Sequence, residues 1–143
     1  MNEPIKFHFN VDGEDFTSAG EASVSVKKLL RQMNVAPDII KRVSIAMYEG
    51  EINMVIHADG GNADVFVYPD KIKIILEDRG PGIPDINLAM QEGYSTAKDN
   101  VRSLGFGAGM GIPNMKKYTD RLEIESEVGK GTTVTMEVDI PVK

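Results

Sequence analysis

The chain contains no cysteine, no tryptophan and only two histidines among its 143 residues. Without cysteine there is no disulfide framework, no cysteine-ligated zinc or iron–sulfur site and no thiol nucleophile. Basic residues are also in the minority, since 16 lysines and arginines against 22 aspartates and glutamates give a net charge of −6. Because nucleic-acid binding needs a basic surface that displaces counterions, this balance argues against a nucleic-acid ligand.

Long apolar runs are missing as well. No stretch approaches the roughly 20 apolar residues of a membrane span. The first ten residues, MNEPIKFHFN, lack the apolar core of a signal peptide. We therefore expect a cytoplasmic protein without a membrane contact. The apolar fraction of 41% is that of an ordinary globular chain, and the length predicts a single domain over residues 1–143.

Hydrophobic periodicity predicts strands and helices in a characteristic order. We expect strands over 5–11, 63–68, 71–77, 121–127 and 132–140, and helices over 17–33, 37–58, 84–91 and 111–119. The strands come in pairs rather than in strict alternation with helices. This order favours an α+β fold, a two-layer α/β sandwich whose mixed, mostly antiparallel sheet carries the helices on one face.

Six of the 14 glycines bracket one long segment without apolar periodicity, residues 92–108. Loops of that length inside a compact domain are usually lids or binding loops. Because glycine clusters lie on both sides of the segment, we expect a hinged lid there.

A first group of candidate residues, Glu49, Asn53 and His57, lies on the second helix at intervals of four. That spacing puts all three on one helix face. An asparagine oxygen suits Mg²⁺, and a glutamate can activate an attacking hydroxyl or water. Taken alone, the pattern is more typical of a solvated helix face, and a lone His57 of a packing or helix-end residue. Glu51 is predicted to point away from this face, into solvent.

A second group, Asp78, Gly80 and Gly82, directly follows a predicted strand. The glycines let the backbone approach a flat ligand closely, and the carboxylate can accept a hydrogen bond from an exocyclic amine such as that of adenine. A Pro-Gly turn of no special function is the competing interpretation.

A third group is a glycine at every second position immediately before a helix. Backbone N–H groups that such glycines expose, together with a helix start, form an anion site. The competing interpretation is a flexible linker. The glycines are Gly105, Gly107, Gly109 and Gly111.

In their order along the chain, these groups resemble the GHKL ATP-binding superfamily, that of the gyrase, Hsp90, histidine kinase and MutL ATPase domains. The resemblance covers residues 43–140. Glu49-x-x-x-Asn53 is similar to the N box, Asp78-x-Gly80-x-Gly82 to the G1 box and Gly107-x-Gly109-x-Gly111 to the G2 box. The stretch GAGMGIPNMKKYTD is similar to the small bacterial anti-sigma-factor serine kinases, in particular to their switch-kinase branch.

The resemblance implies the Bergerat ATP-binding fold, with ATP and Mg²⁺ as cofactors. It implies that Asn53 is the Mg²⁺ ligand, that Glu49 is the base that activates a protein serine, and that Asp78 binds the adenine amino group. Thr132, in a late Gly-Thr pair, would support Asp78 or a bridging water. The glycines would leave room for the nucleotide beside the protein backbone and would bind its phosphates. These glycines are Gly80, Gly82, Gly105, Gly107, Gly109 and Gly111.

Some positions are not explained by the resemblance. Lys98 and Arg102 lie in the lid and can neutralise phosphate charge, but no family role carries over to them. Gly50 stands where many relatives have small or apolar residues, and a glycine inside a helix costs up to about 1 kcal/mol relative to alanine. It either permits close packing or loosens the helix that carries Glu49.

The resemblance implies a protein serine/threonine kinase that acts as an anti-sigma or partner-switching factor. Its substrate would be a small STAS-type anti-anti-sigma protein, and a sigma factor or phosphatase and a homodimer are further expected partners. Two alternatives stay open. One is an ATP-gated protein-binding module with little or no kinase activity, and the other is the catalytic domain of a histidine kinase.

Overall fold

The computed structural model describes residues 4–12, 20–57, 60–78, 80 and 111–141. The strands are β1 (Ile5–Asp12), β2 (Gly60–Val67), β3 (Lys71–Asp78), β4 (Arg121–Glu127) and β5 (Gly131–Asp139). The helices are α1 (Glu21–Gln32), α2 (Pro37–His57) and α3 (Gly111–Lys117). The predicted elements are found with shifted ends, except that the predicted helix over 84–91 and the predicted lid over 92–108 lie outside the described residues.

The strands form one sheet in the order β1-β2-β3-β5-β4. All four pairings among the described strands are antiparallel. The register aligns Val65, Ile74 and Met136 in one row, and all three side chains are fully buried. Helix α2 contacts β1, β2, β3 and β5, so it lies across this buried face. The predicted α+β class, with helices layered on one sheet face, is confirmed.

Helix α2 buries the apolar stripe that the sequence predicts. Ile39, Ile40, Val43, Met47 and Met54 are each at most 5% exposed and belong to a single hydrophobic core. That core contains residues from every helix and every strand, either buried or packed against it. No described helix is both long and apolar enough to cross a membrane.

At Gly50, α2 approaches the sheet closely. A methyl group built on Gly50 would lie 2.1 Å from Cδ1 of Leu76 in β3 and 3.3 Å from Sδ of Met115 in α3. Both neighbours are at most 2% exposed, so neither side chain can shift to make room for the added methyl group. Close packing is therefore the reason for this glycine, the first of the two interpretations given by the sequence.

Glu51 is the one clear error of the sequence analysis. We predicted a solvent-facing side chain, but Glu51 is only 2% exposed. Its carboxylate accepts backbone N–H hydrogen bonds from Gly20 at 2.8 Å, Ala22 at 3.2 Å and Ser23 at 3.1 Å. These donors belong to the first turn of α1, whose N–H groups have no partner within the helix.

The start of α1 explains why a distant carboxylate is needed. The residue at the N-cap is Gly20, with φ of 97°, and it has no side chain to cap the helix. A methyl group on Gly20 would also lie 2.8 Å from Cε1 of Tyr48 on α2. Glu51 supplies the cap from the neighbouring helix, and its negative charge interacts favourably with the positive end of the α1 dipole.

Replacing Glu51 by alanine is expected to lower the free energy of unfolding by roughly 3 kcal/mol, because three helix N–H groups lose a charged acceptor. Glu51→Gln keeps one carbonyl oxygen and is expected to cost less. Urea unfolding followed by circular dichroism measures both. Glu21→Gln, in the exposed first turn of α1, is the matched control. An equal, small effect of all three variants would contradict the capping role.

Candidate functional site

The two helical candidates, Glu49 and Asn53, are both half-buried on α2. Burial raises the pKa of Glu49 above its ordinary value, and a hydrogen bond from the Asn114 side chain partly offsets this. Glu49 is therefore a carboxylate in a partly desolvated position, which is the environment that tunes a carboxylate for proton transfer. The third member of the predicted helix face, His57, has no described side chain.

Asn114 is a residue that the sequence analysis missed. It lies on α3, directly beside Met115, which packs close to Gly50. The packing of α3 on α2 brings the Asn114 amide to the Glu49 carboxylate. The available signal was that Asn114 is a polar residue in the first turn of the helix that follows the glycine cluster. Spacing alone does not pair it with Glu49, which lies 65 positions earlier.

Asp78 closes β3 and is held by backbone N–H groups. Its Oδ1 accepts hydrogen bonds from the N–H of Gly80 and from the N–H of Thr132, both at 3.0 Å. The second bond follows from the sheet register, because Glu77 pairs with Thr133 across β3 and β5. Among the described residues, both of these bonds end on Oδ1, so Oδ2 is left to accept a hydrogen bond from a ligand.

Thr132 was predicted to support Asp78 or a bridging water, and its backbone does contact Asp78. Its hydroxyl lies 2.9 Å from the hydroxyl of Ser126 on β4. Ser126 also donates a hydrogen bond to the carbonyl of Gly131 at 3.3 Å. The side chain of Thr132 thus joins β4 to β5, while its N–H fixes the carboxylate of Asp78.

A cavity of about 370 Å³ lies beside Asp78 at the ends of β3, β4 and β5. Four carboxylates and one lysine line it, so its walls are predominantly negative. Such walls repel a triphosphate but accept the amino group of a neutral base. The lining residues are Glu77, Asp78, Glu125, Ser126, Glu127, Lys130, Gly131, Thr132 and Thr133.

The close approach at Gly50 relates the helix candidates to the strand candidates. Leu76, which faces Gly50, is two residues before Asp78 on β3. Met115, which also faces Gly50, is on α3, the helix that begins at Gly111. The three elements that carry the predicted groups thus meet at Gly50. They are α2 with Glu49 and Asn53, β3 with Asp78, and α3 with Gly111.

Several predicted residues remain predictions. Gly82, Gly105, Gly107 and Gly109 lie outside the described residues, as do Lys98 and Arg102. Within the described ranges, no group of three or more His, Cys, Asp or Glu side chains could hold a metal ion. Asn53, half-buried on α2, offers one amide oxygen, and Mg²⁺ is a cation that takes one or two protein oxygens and completes its shell with phosphate and water oxygens.

The family described as histidine kinase-, DNA gyrase B- and HSP90-like ATPase matches residues 38–142. The chain belongs to this ATPase family. This membership shows that the chain is an ATP-binding domain, and it confirms the superfamily that the three motifs resemble. The match begins at the start of α2 and runs past β5, so it includes every candidate site residue.

Two curated relatives in the ATPase family are similar over much of their length. The serine/threonine-protein kinase RsbT of Bacillus subtilis is 34% identical over 97 residues, which are 65% of this chain and 67% of that protein. The anti-sigma F factor of Caldanaerobacter subterraneus is 32% identical over 137 residues, which are 92% of this chain and 89% of that protein.

Two solved structures support the fold. The crystal structure of the RsbU and RsbW domains of a Mycobacterium tuberculosis protein matches with a TM-score of 0.65 and 15% identity, over 97% of this chain. This chain spans about a third (34%) of that longer chain. The mycobacterial sensor histidine kinase MprB matches with a TM-score of 0.55 and 16% identity, covering 94% of this chain and 97% of that one. At these identities the likeness concerns the fold alone.

The raised pKa of Glu49 has a consequence for stability. Because the native state favours neutral Glu49, protonation of Glu49 stabilises the native state relative to the unfolded chain. This stabilisation is fully present below the ordinary pKa of 4.5 and is lost as pH rises through the raised native pKa. We therefore expect Glu49→Gln to melt at a higher temperature than the wild type near neutral pH, with the difference closing in acid. Thermal melts across this pH range measure it. Glu123→Gln, on exposed β4, is the control and should change little, and a lower melting temperature of Glu49→Gln at neutral pH would contradict the assignment.

Proposed function

We propose that this protein is an ATP-dependent protein serine/threonine kinase that acts as an anti-sigma or partner-switching regulator. The observation that carries the proposal is the contact at Gly50, which brings the half-buried Glu49 of α2 close to the end of β3, where Asp78 is anchored. Family membership supports ATP as the nucleotide, and relatives named as a serine/threonine kinase and as anti-sigma factors support the class of reaction. We also propose that residues 1–143 form one domain, since every described element contributes to one core.

In this proposal, Asp78 recognises the adenine base. The N–H groups of Gly80 and Thr132 fix Oδ1, so the carboxylate is oriented before the nucleotide arrives. Oδ2, which accepts neither of these two bonds, accepts a hydrogen bond from the exocyclic amino group of adenine, while Gly80 and Gly82 leave room for the ring beside the backbone. A preoriented acceptor loses little entropy on binding, which favours affinity.

The phosphates lie away from the acidic cavity, toward the start of α3. We propose that the glycines Gly105, Gly107, Gly109 and Gly111 present backbone N–H groups to them, because the cavity beside Asp78 has predominantly acidic walls that cannot neutralise phosphates. Asn53 supplies an oxygen to the accompanying Mg²⁺. The ATP supplies the transferable γ-phosphoryl group, and the cation screens its charge.

Glu49 is the proposed catalytic base. Burial raises the pKa of Glu49, so its partly desolvated carboxylate is a better proton acceptor than that of an exposed glutamate. It accepts the proton of the attacking serine or threonine hydroxyl. The oxygen then attacks the γ-phosphorus, whose bond to the β,γ-bridging oxygen breaks so that ADP leaves. Asn114 donates a hydrogen bond to the carboxylate and so limits its rotation.

The proposed substrate is a serine or threonine of a small STAS-type anti-anti-sigma protein. Relatives named anti-sigma F factor support this class of partner, and a sigma factor or phosphatase is the second partner of such a switch. We place the reaction in the cytoplasm, where ATP is available, and propose a homodimer as the working assembly. The competing function is an ATP-gated binding module, in which the nucleotide recruits the partner without phosphoryl transfer.

Glu49→Gln is expected to bind Mg·ATP within about twofold of the wild type and to lower phosphoryl transfer by roughly 100-fold or more, because only the proton acceptor is lost. Asn53→Ala is expected to lose the Mg²⁺-dependent part of ATP binding. Both are measured with radiolabelled ATP and a STAS-domain protein of the same organism, with Glu123→Gln as the control.

Each outcome of that experiment selects one function. Acid-stable label on a partner serine supports the kinase, whereas acid-labile label supports a histidine kinase. ATP-dependent co-elution with the partner and no label supports the binding module. Normal transfer by Glu49→Gln would remove Glu49 from the role of base while leaving the kinase itself in place.

Asp78→Asn is expected to fold normally, because the amide oxygen still accepts the N–H bonds of Gly80 and Thr132. It should nevertheless bind ATP at least roughly tenfold more weakly, since its NH₂ group then faces the amino group of adenine, donor against donor. Asp78→Ala should lose both stability and binding. Calorimetric titration with ATP and with GTP measures the effect, and unchanged ATP affinity of Asp78→Asn would refute adenine recognition by this residue.

A further inference from the structure

A groove of about 620 Å³ separates the end of α1 from the start of α2. Its accessible apolar lining includes Val35, Pro37 and Ile45, and its basic lining includes Lys27, Arg31 and Lys41. Lys41 precedes Glu49 by eight residues on the same helix, which corresponds to about 12 Å along the helix axis. The groove is therefore separate from the candidate nucleotide site.

The charge around this groove is opposite to that of the whole protein. Residues 21–45 contain five lysines and arginines and two aspartates and glutamates, although the chain carries a net charge of −6. None of Lys27, Arg31 and Lys41 forms an ion pair with any residue that the structure describes. Unpaired cations beside an apolar surface select a ligand that combines carboxylates with apolar groups.

The shape and composition of the groove favour a protein segment over a nucleic acid or a membrane. Two helices form a concave channel, which fits the apolar stripe of a third helix. None of the described residues that line the groove has an aromatic side chain on which a base could stack. The net negative charge of the remaining surface repels both polyphosphate backbones and anionic lipid.

We propose that the groove between α1 and α2 is a docking site for an acidic amphipathic helix of a partner protein. Leucine-like residues of the partner helix lie on Val35, Pro37 and Ile45, and its flanking carboxylates pair with Lys27, Arg31 and Lys41. The proposal concerns a surface remote from Glu49 and Asp78, so it requires neither ATP binding nor phosphoryl transfer.

The test uses a fluorescein-labelled helical peptide of about 18 residues, with leucines at helical spacing and glutamates on both flanks. Fluorescence anisotropy with the full chain is expected to show saturable binding that weakens as salt rises. The double variant Lys27→Glu/Lys41→Glu should weaken it roughly tenfold or more, and Lys27→Gln/Lys41→Gln by a smaller factor. All these side chains are exposed, so the variants are expected to fold, which circular dichroism checks.

Lys28→Glu is the matched control, because Lys28 is an exposed lysine next to Lys27 that does not line the groove. It should change affinity less than about twofold. An equal loss in Lys28→Glu would show a general charge effect and overturn the proposal, as would equal binding of a peptide with the same residues in scrambled order. Preferential binding of phosphatidylserine vesicles or of an oligouridine, lost in the double variant, would overturn it in favour of a membrane or a nucleic acid.

Discussion

The arrangement of the site depends on how closely α2 can lie on the sheet at Gly50. A side chain at this position would collide with Leu76 and press on Met115, and both are buried. Because Gly50 has no side chain, α2 packs directly against both β3 and α3. The carboxylate of Glu49 can then lie near the amide of Asn114, and the end of β3 that carries Asp78 lies beside the same part of α2. One missing side chain thus sets the spacing of the three candidate motifs.

The buried carboxylate of Glu51 fixes the remaining helix. It is stable in the interior because three backbone N–H groups and the positive end of α1 surround it. Two glutamates on one helix turn therefore have different environments. Glu51 accepts three hydrogen bonds and is structural, whereas burial raises the pKa of Glu49 and the hydrogen bond from Asn114 only partly offsets this. The first holds α1 against α2, and the second is left for chemistry.

Periodicity alone predicted most of the fold, because the apolar stripe of α2 and the alternation of β2, β3 and β5 are local patterns. The spacing of Glu49 and Asn53 and the position of Asp78 after β3 were likewise readable. Glu51 and Asn114 were not, since each acts through a partner 28 to 65 positions away in the chain. A helical wheel assigns Glu51 to solvent, and only the placement of the uncapped start of α1 over it reverses that assignment.

The distribution of charge links the proposed nucleotide site to the proposed docking groove. The cavity beside Asp78 is acidic, so the base can be bound there while the phosphates are directed toward backbone N–H groups and a cation. The groove near the start of α2 is basic in a chain of net charge −6. An acidic partner is therefore attracted to one side of the helical layer and repelled by the cavity at the strand ends. Charge separation of this kind keeps a protein partner from competing with the nucleotide, although both ligands are anionic.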